Sequence, residues 1–135
     1  MDILTREFER FIGSPTETYY DRLHITIYQD GRILLNRKAF ETMGKPQNVY
    51  LNYSRAKDTI VLEPTQVSMS NNAFPVKMNG RQGGRRIQAN PFCKHFRIKP
   101  EAVLKFVNPH IDSVGRAFLK LTETVVVSRG PRKKK

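Results

Sequence analysis

The sequence predicts a mainly β fold with short helices, preceded by an N-terminal amphipathic helix. Three observations predict it. Short runs alternate apolar and polar residues, as in Leu23, Ile25 and Ile27 against His24, Thr26 and Tyr28, which is the period-2 signature of a half-buried strand. Turn dipeptides punctuate those runs, among them Asp30-Gly31 and Asn79-Gly80, where glycine tolerates the positive φ that tight hairpins require. The same order of elements then occurs twice, 54 residues apart, as in Asn36 and Asn90.

The spacing of Ile3, Leu4, Phe8, Phe11 and Ile12 predicts a helix over residues 2–12, closed by Gly13 and Ser14-Pro15. Residues 1–22 are this helix and its connector. A first β-hairpin repeat spans 23–66. In it, Leu23–Tyr28 and Arg32–Leu35 flank the Asp30-Gly31 turn, and Asn36 is the expected cap of a short helix closed by Gly44. After Lys45-Pro46 come strands Asn48–Tyr53 and Thr59–Glu63, joined by a polar loop.

A small-polar linker, 67–73, leads to a second, basic repeat over 74–128. A strand FPVKM, the loop Asn79–Gly84 and a returning strand Arg85–Ala89 open it. Asn90 is the expected helix cap with Pro91 at the first helical position, and Lys99-Pro100 ends the turn. Strands follow near Ala102–Val107 and Arg116–Leu121, with an edge strand at Thr124–Val127 and a basic tail at 129–135. Between the halves Ala39 meets Cys93, Lys45-Pro46 meets Lys99-Pro100, and Val49 meets Val103. Such a repeat is one supersecondary unit used twice, each copy covering the other's apolar face.

Residues 24–65 and 74–122 resemble the swapped-hairpin domain of AbrB- and SpoVT-type transcription regulators. Gly31-Arg32 stands at the turn, Met43-Gly44-Lys45-Pro46 at the break, and Asp58-Thr59-Ile60-Val61-Leu62 on the last strand. The second copy keeps Gly84-Arg85, Asn90-Pro91 and Ile98-Lys99-Pro100. Two copies in one chain resemble the MraZ branch. The resemblance implies a duplicated swapped-hairpin, AbrB-like β-barrel and duplex DNA binding by basic residues on exposed hairpins. It also implies assembly, AbrB-like proteins forming dimers and MraZ-like ones rings. Residue by residue it points to Arg32 in the first copy and to Arg85 and Arg86 in the second.

Charge distribution agrees with a polyanion partner. The chain of 135 residues carries a net charge of +12, with −2 over residues 1–23, +2 over 24–66 and +12 over 67–135. An excess confined to one half is the electrostatic footprint of a nucleic-acid binder. The strongest local candidate is the loop from Asn79 to Arg86, where glycines let backbone approach phosphates while Arg81, Arg85 and Arg86 supply forked donors. Arg37 and Lys38 beside the first helix cap are candidate phosphate contacts, against the alternative of a solvated helix face. Tail residues Arg129, Arg132, Lys133, Lys134 and Lys135 add affinity without sequence information.

Other classes find little support. No apolar run approaches the roughly 20 residues that cross a bilayer, so no membrane partner is expected. Cys93 and His95 have no second ligand pair, and no metal or other cofactor is expected. No nucleophile–base signature argues for an enzyme. The expectation is a DNA-binding, non-enzymatic transcription regulator, cytoplasmic and nucleoid-associated, or nuclear if its source is eukaryotic. Duplex DNA is favoured over RNA, and a homo-oligomer is compatible with the resemblance. The alternative is a protein–protein adaptor or phage-type assembly protein whose basic half serves an acidic partner or RNA.

Overall fold

The computed structural model describes residues 22–66 and 72–127. The expected helix over 2–12 and the tail at 129–135 lie outside them. What is described is mainly β with short helices, arranged as two antiparallel sheets.

The first hairpin is β1 (Ile25–Ile27) and β2 (Arg32–Leu35), paired so that Ile27 faces Ile33 and Ile25 faces Leu35. All four are buried. Helix α1 (Arg37–Thr42) follows, and Asn36 caps it: its Oδ1 accepts from the Ala39 backbone N–H at 3.0 Å. Strands β3 (Asn48–Ser54) and β4 (Thr59–Thr65) form the long second hairpin of this half, where Leu51 faces Leu62.

The second half opens with β5 (Phe74–Pro75) and β6 (Lys77–Asn79). The single strand expected over FPVKM is divided. Phe74 pairs with Val49 in one sheet and Lys77 with Arg86 in the other. The chain switches sheets at Val76, whose N–H donates to the Gln47 carbonyl. Proline at position 75 lacks the N–H a longer ladder would need.

Strand β7 (Gly84–Gln88) returns along β6 and is followed by α2 (Asn90–Phe96). The expected capping role of Asn90 needs correction. Ala89 occupies the cap position and makes no side-chain cap bond. The Asn90 Nδ2 instead donates to the carbonyl of Asp30 in the first hairpin turn. Gly31 permits this approach. Its φ is +92°, and a Cβ there would stand 2.9 Å from the Asn90 Cα, a clash with backbone added to an unfavourable conformation.

The remaining strands are β8 (Leu104–Phe106), β9 (His110–Ile111), β10 (Ala117–Lys120) and β11 (Thr124–Val126). Strand β9 went unexpected. The six-stranded sheet has the order β11-β8-β1-β2-β7-β6, and the five-stranded sheet β5-β3-β4-β10-β9. The closed barrel that the resemblance implies is not formed among the described strands, because each sheet ends in free edges.

One core joins both sheets. Ile25, Ile33, Ile87 and Phe106 from the first meet Val49, Ile60, Leu62 and Leu119 from the second, with Ala39 and Cys93 from the helices. The strand registers relate the two halves. Ile33 faces Ile87, its counterpart 54 residues on, and Arg32 faces Gln88 while Leu34 faces Arg86, an exchange that leaves the same offset intact. In the second sheet Val61 faces Phe118, an offset of 57. The three added residues fall between β8 and β10, in the connection that carries β9.

Candidate nucleic-acid interface

Strand alternation decides which basic side chains can meet a partner. On β2 and β7 the buried Ile33, Leu35 and Ile87 turn inward, so Arg32, Leu34 and Arg86 turn out. Following the register from β8 to β6 gives one outward row, Lys105, Thr26, Leu34, Arg86, Lys77, with Val125 of β11 beyond Lys105. At about 4.8 Å per strand this row spans roughly 19 Å. It contains three bases and no acid. Tyr28 and Arg32 belong to the next outward row, which places Arg32 diagonal to Arg86.

A groove of about 330 Å³ runs over this face. Thr26, Leu34, Val103 and Val127 contribute apolar surface to it, and Arg37 stands at its rim. Beside it stands the second hairpin, three ladder pairs long from Lys77 with Arg86 to Asn79 with Gly84. Its turn at residues 80–83 lies at the Leu35 end of β2, opposite to the end where the first hairpin closes.

The predicted residues have different situations. Arg81 is exposed at the 80–83 turn. Arg86 lies outward, and its guanidinium donates to the Met78 carbonyl at 3.0 Å across the hairpin, which fixes its direction while leaving donors of the fork over. Arg85 does something else. It shares the inward side with Ile87, its guanidinium lies 4.1 Å from the centre of the Phe40 ring, and it donates to the carbonyls of Gly83 and Gly84. It braces the turn against α1.

Arg32 is held by Asp30 at 3.0 Å and lies 4.5 Å over the Tyr28 ring. Desolvation pushes the Asp30 carboxyl up. Hydrogen bonds from the Arg32 backbone and side chain, with its charge, outweigh that and hold Asp30 below the usual carboxylate value. Arg37 is exposed, with Glu41 at a loose 3.9 Å. Its stem underlies the turn: a Cβ on Gly83, where φ is +86°, would come within 2.6 Å of the Arg37 Cδ. The structure therefore brings Arg37 to the tip that carries Arg81. Lys38 is exposed on the same helix.

Lys77 and Lys105 escaped the sequence reading, although both complete the outward row. The signal was present as alternation, Lys105 standing between the inward Leu104 and the buried Phe106. Only the register joins them to Arg86. The five tail bases lie outside the described residues, but their root is on this face, since the Val127 N–H donates to the Val103 carbonyl at 2.9 Å and both line the groove.

Away from this face, Cys93 is buried and burial pushes its thiol up to about 11. His95 is exposed and lies edge-on to Phe96. Among the described residues no three His, Cys, Asp or Glu side chains gather as metal ligands, and no helix is long and apolar enough to cross a membrane. No family model, curated protein or solved structure matches the chain.

Proposed function

We propose that this protein binds duplex DNA through the outer face of its six-stranded sheet and the exposed β6–β7 turn. The observation that carries this reading is the outward row of Lys105, Arg86 and Lys77, free of acids and flanked by the exposed Arg81 and Arg37. Phosphates are drawn by such a row without regard to sequence, and an exposed arginine on a turn can reach base edges in a groove. Single-stranded RNA is read by stacking on open aromatic faces. Here the Tyr28 ring is already overlaid by Arg32, which favours a duplex.

In its finer form the proposal is a non-enzymatic transcription regulator of the AbrB or MraZ kind, acting on the nucleoid. The pairing of Ile33 with Ile87, 54 residues apart, supports the duplicated hairpin unit. Assembly into homo-oligomers has support in the free edge of β11, where Val125 and Val126 are 51% and 62% exposed. That edge also favours the second reading, a protein–protein adaptor. A defined hetero-complex with no affinity for nucleic acid would establish it.

The test is a fluorescence-anisotropy titration of a labelled random duplex over a range of salt concentrations. The wild-type affinity falls steeply with salt. Replacing Lys77, Arg81 and Arg86 together by Ala weakens binding at least about tenfold and makes the log–log salt slope shallower by about 2 to 3, at ~0.9 per phosphate contact. No binding by the wild-type protein at low salt would overturn the proposal.

A further inference from the structure

The groove on the basic face has a candidate occupant within the same chain. Residues 1–21 carry Asp2, Glu7, Glu9, Glu17 and Asp21 against Arg6 and Arg10, a net charge of −3 in a molecule of net +12. They also carry apolar Ile3, Leu4, Phe8, Phe11 and Ile12. The groove offers apolar surface from Leu34, Val103 and Val127 among polar neighbours, with Arg37 in its lining. Arg86 and Lys105 stand in the row that crosses it.

The chain enters at the right place. Asn36, a residue of the groove lining, donates from Nδ2 to the Arg22 carbonyl at 2.7 Å. Its Oδ1 also accepts from the His24 N–H at 3.1 Å. The acidic segment therefore joins the body at the margin of the groove. About six extended residues at roughly 3.3 Å each would cross the 19 Å row, so 21 residues reach all of it. A segment tethered this closely is held at millimolar effective concentration, which lets modest contacts compete with a partner in solution.

We propose that residues 1–21 dock on the basic outer face of the six-stranded sheet and compete there with nucleic acid. The competition rests on the proposed function; the docking does not. Opposite charge brings the segment to the face, and its apolar side chains cover Leu34 and its neighbours. A polyanion must displace it to reach Arg86 and Lys105.

The chain has no tryptophan, so Phe8→Trp in the full-length protein supplies a single reporter. In low salt, docking gives blue-shifted emission and severalfold protection from acrylamide. Leu34→Glu, or Arg86→Glu as a charge-only change, returns the emission to that of an exposed indole while far-ultraviolet dichroism is unchanged. A reporter indifferent to both substitutions overturns the docking, as does one that is solvent-exposed from the start. A shift that grows with protein concentration overturns the intramolecular form in favour of a second copy. Added duplex then shifts the reporter to the red. A duplex that binds without moving it overturns the competition. Failure of any duplex to bind, with the Leu34→Glu response intact, leaves the docking standing and removes both the competition and the proposed function.

Discussion

Strand alternation gives adjacent arginines opposite surroundings. Arg85 turns inward over Phe40, while Arg86 turns outward beside Lys77. Truncating Arg85 to Ala removes a cation–π contact of roughly 1 to 2 kcal/mol when partly desolvated and loosens the turn it braces. Its expected signature is a lowered urea midpoint with a smaller loss of affinity than Arg86→Ala shows. Equal stability of the two variants would contradict the assignment. Cys93 supplies a pH signature of its own. Burial raises its folded-state value to about 11 from an ordinary 9, so the folded state retains the proton longer. The associated stability is complete below pH 9 and is lost as pH rises towards 11, on the order of 2 kcal/mol. The hydrogen bond from Tyr53 to Asp58 raises that tyrosine and acts in the same direction. Denaturation of Cys93→Ala across this range should show a shallower decline, and an unchanged profile would reject the thiol as its source.

The two short helices show how one residue type can serve two purposes. Asn36 accepts from Ala39 and His24 and donates to Arg22, so it closes α1 and ties the chain entry to it. Asn36→Ala should cost about 1 to 2 kcal/mol, the upper range for a cap. Asn36→Asp keeps the acceptor and should fall between, which thermal unfolding can check. Asn90 looks equivalent in sequence but donates to Asp30 across the two halves. Local preference made both residues cap candidates. Tertiary contact with Gly31 and Asp30 gave the second one a different partner. The β6–β7 hairpin differs from its first-half counterpart in turning at the opposite end of β2 and β7. That placement leaves Arg81 exposed and lays Gly83 on Arg37.

On the scale of the whole molecule, the Ile33–Ile87 pair is one of the points where the two halves meet, beside Val61 with Phe118 and Phe74 with Val49. Both side chains are fully buried in the shared core. Either one truncated to Ala should cost about 2 to 5 kcal/mol, and calorimetry should still show one transition because no half has a core of its own. The double variant should cost less than the sum, since paired residues couple. Two separate transitions in either single variant would show that the halves fold independently. The charge is likewise a property of the whole. Its concentration in the second half is visible along the chain. The row of three bases on one face depends on β7 lying beside β2, and on β1 lying beside β8.

By itself the sequence determined the mainly β character, the first hairpin, the Asn36-capped helix and the excess of positive charge. Each of these follows from local periodicity, turn chemistry or composition. It left β9 unread, because two residues carry no period and His110–Ile111 is a strand only through its pairing with β10. Only the tertiary structure decided that Arg85 braces while Arg86 faces out, and that Lys77 and Lys105 belong with it. The physical reason is register. Strand period says that alternate residues share a face, and only the pairing of distant strands says which face meets which neighbour.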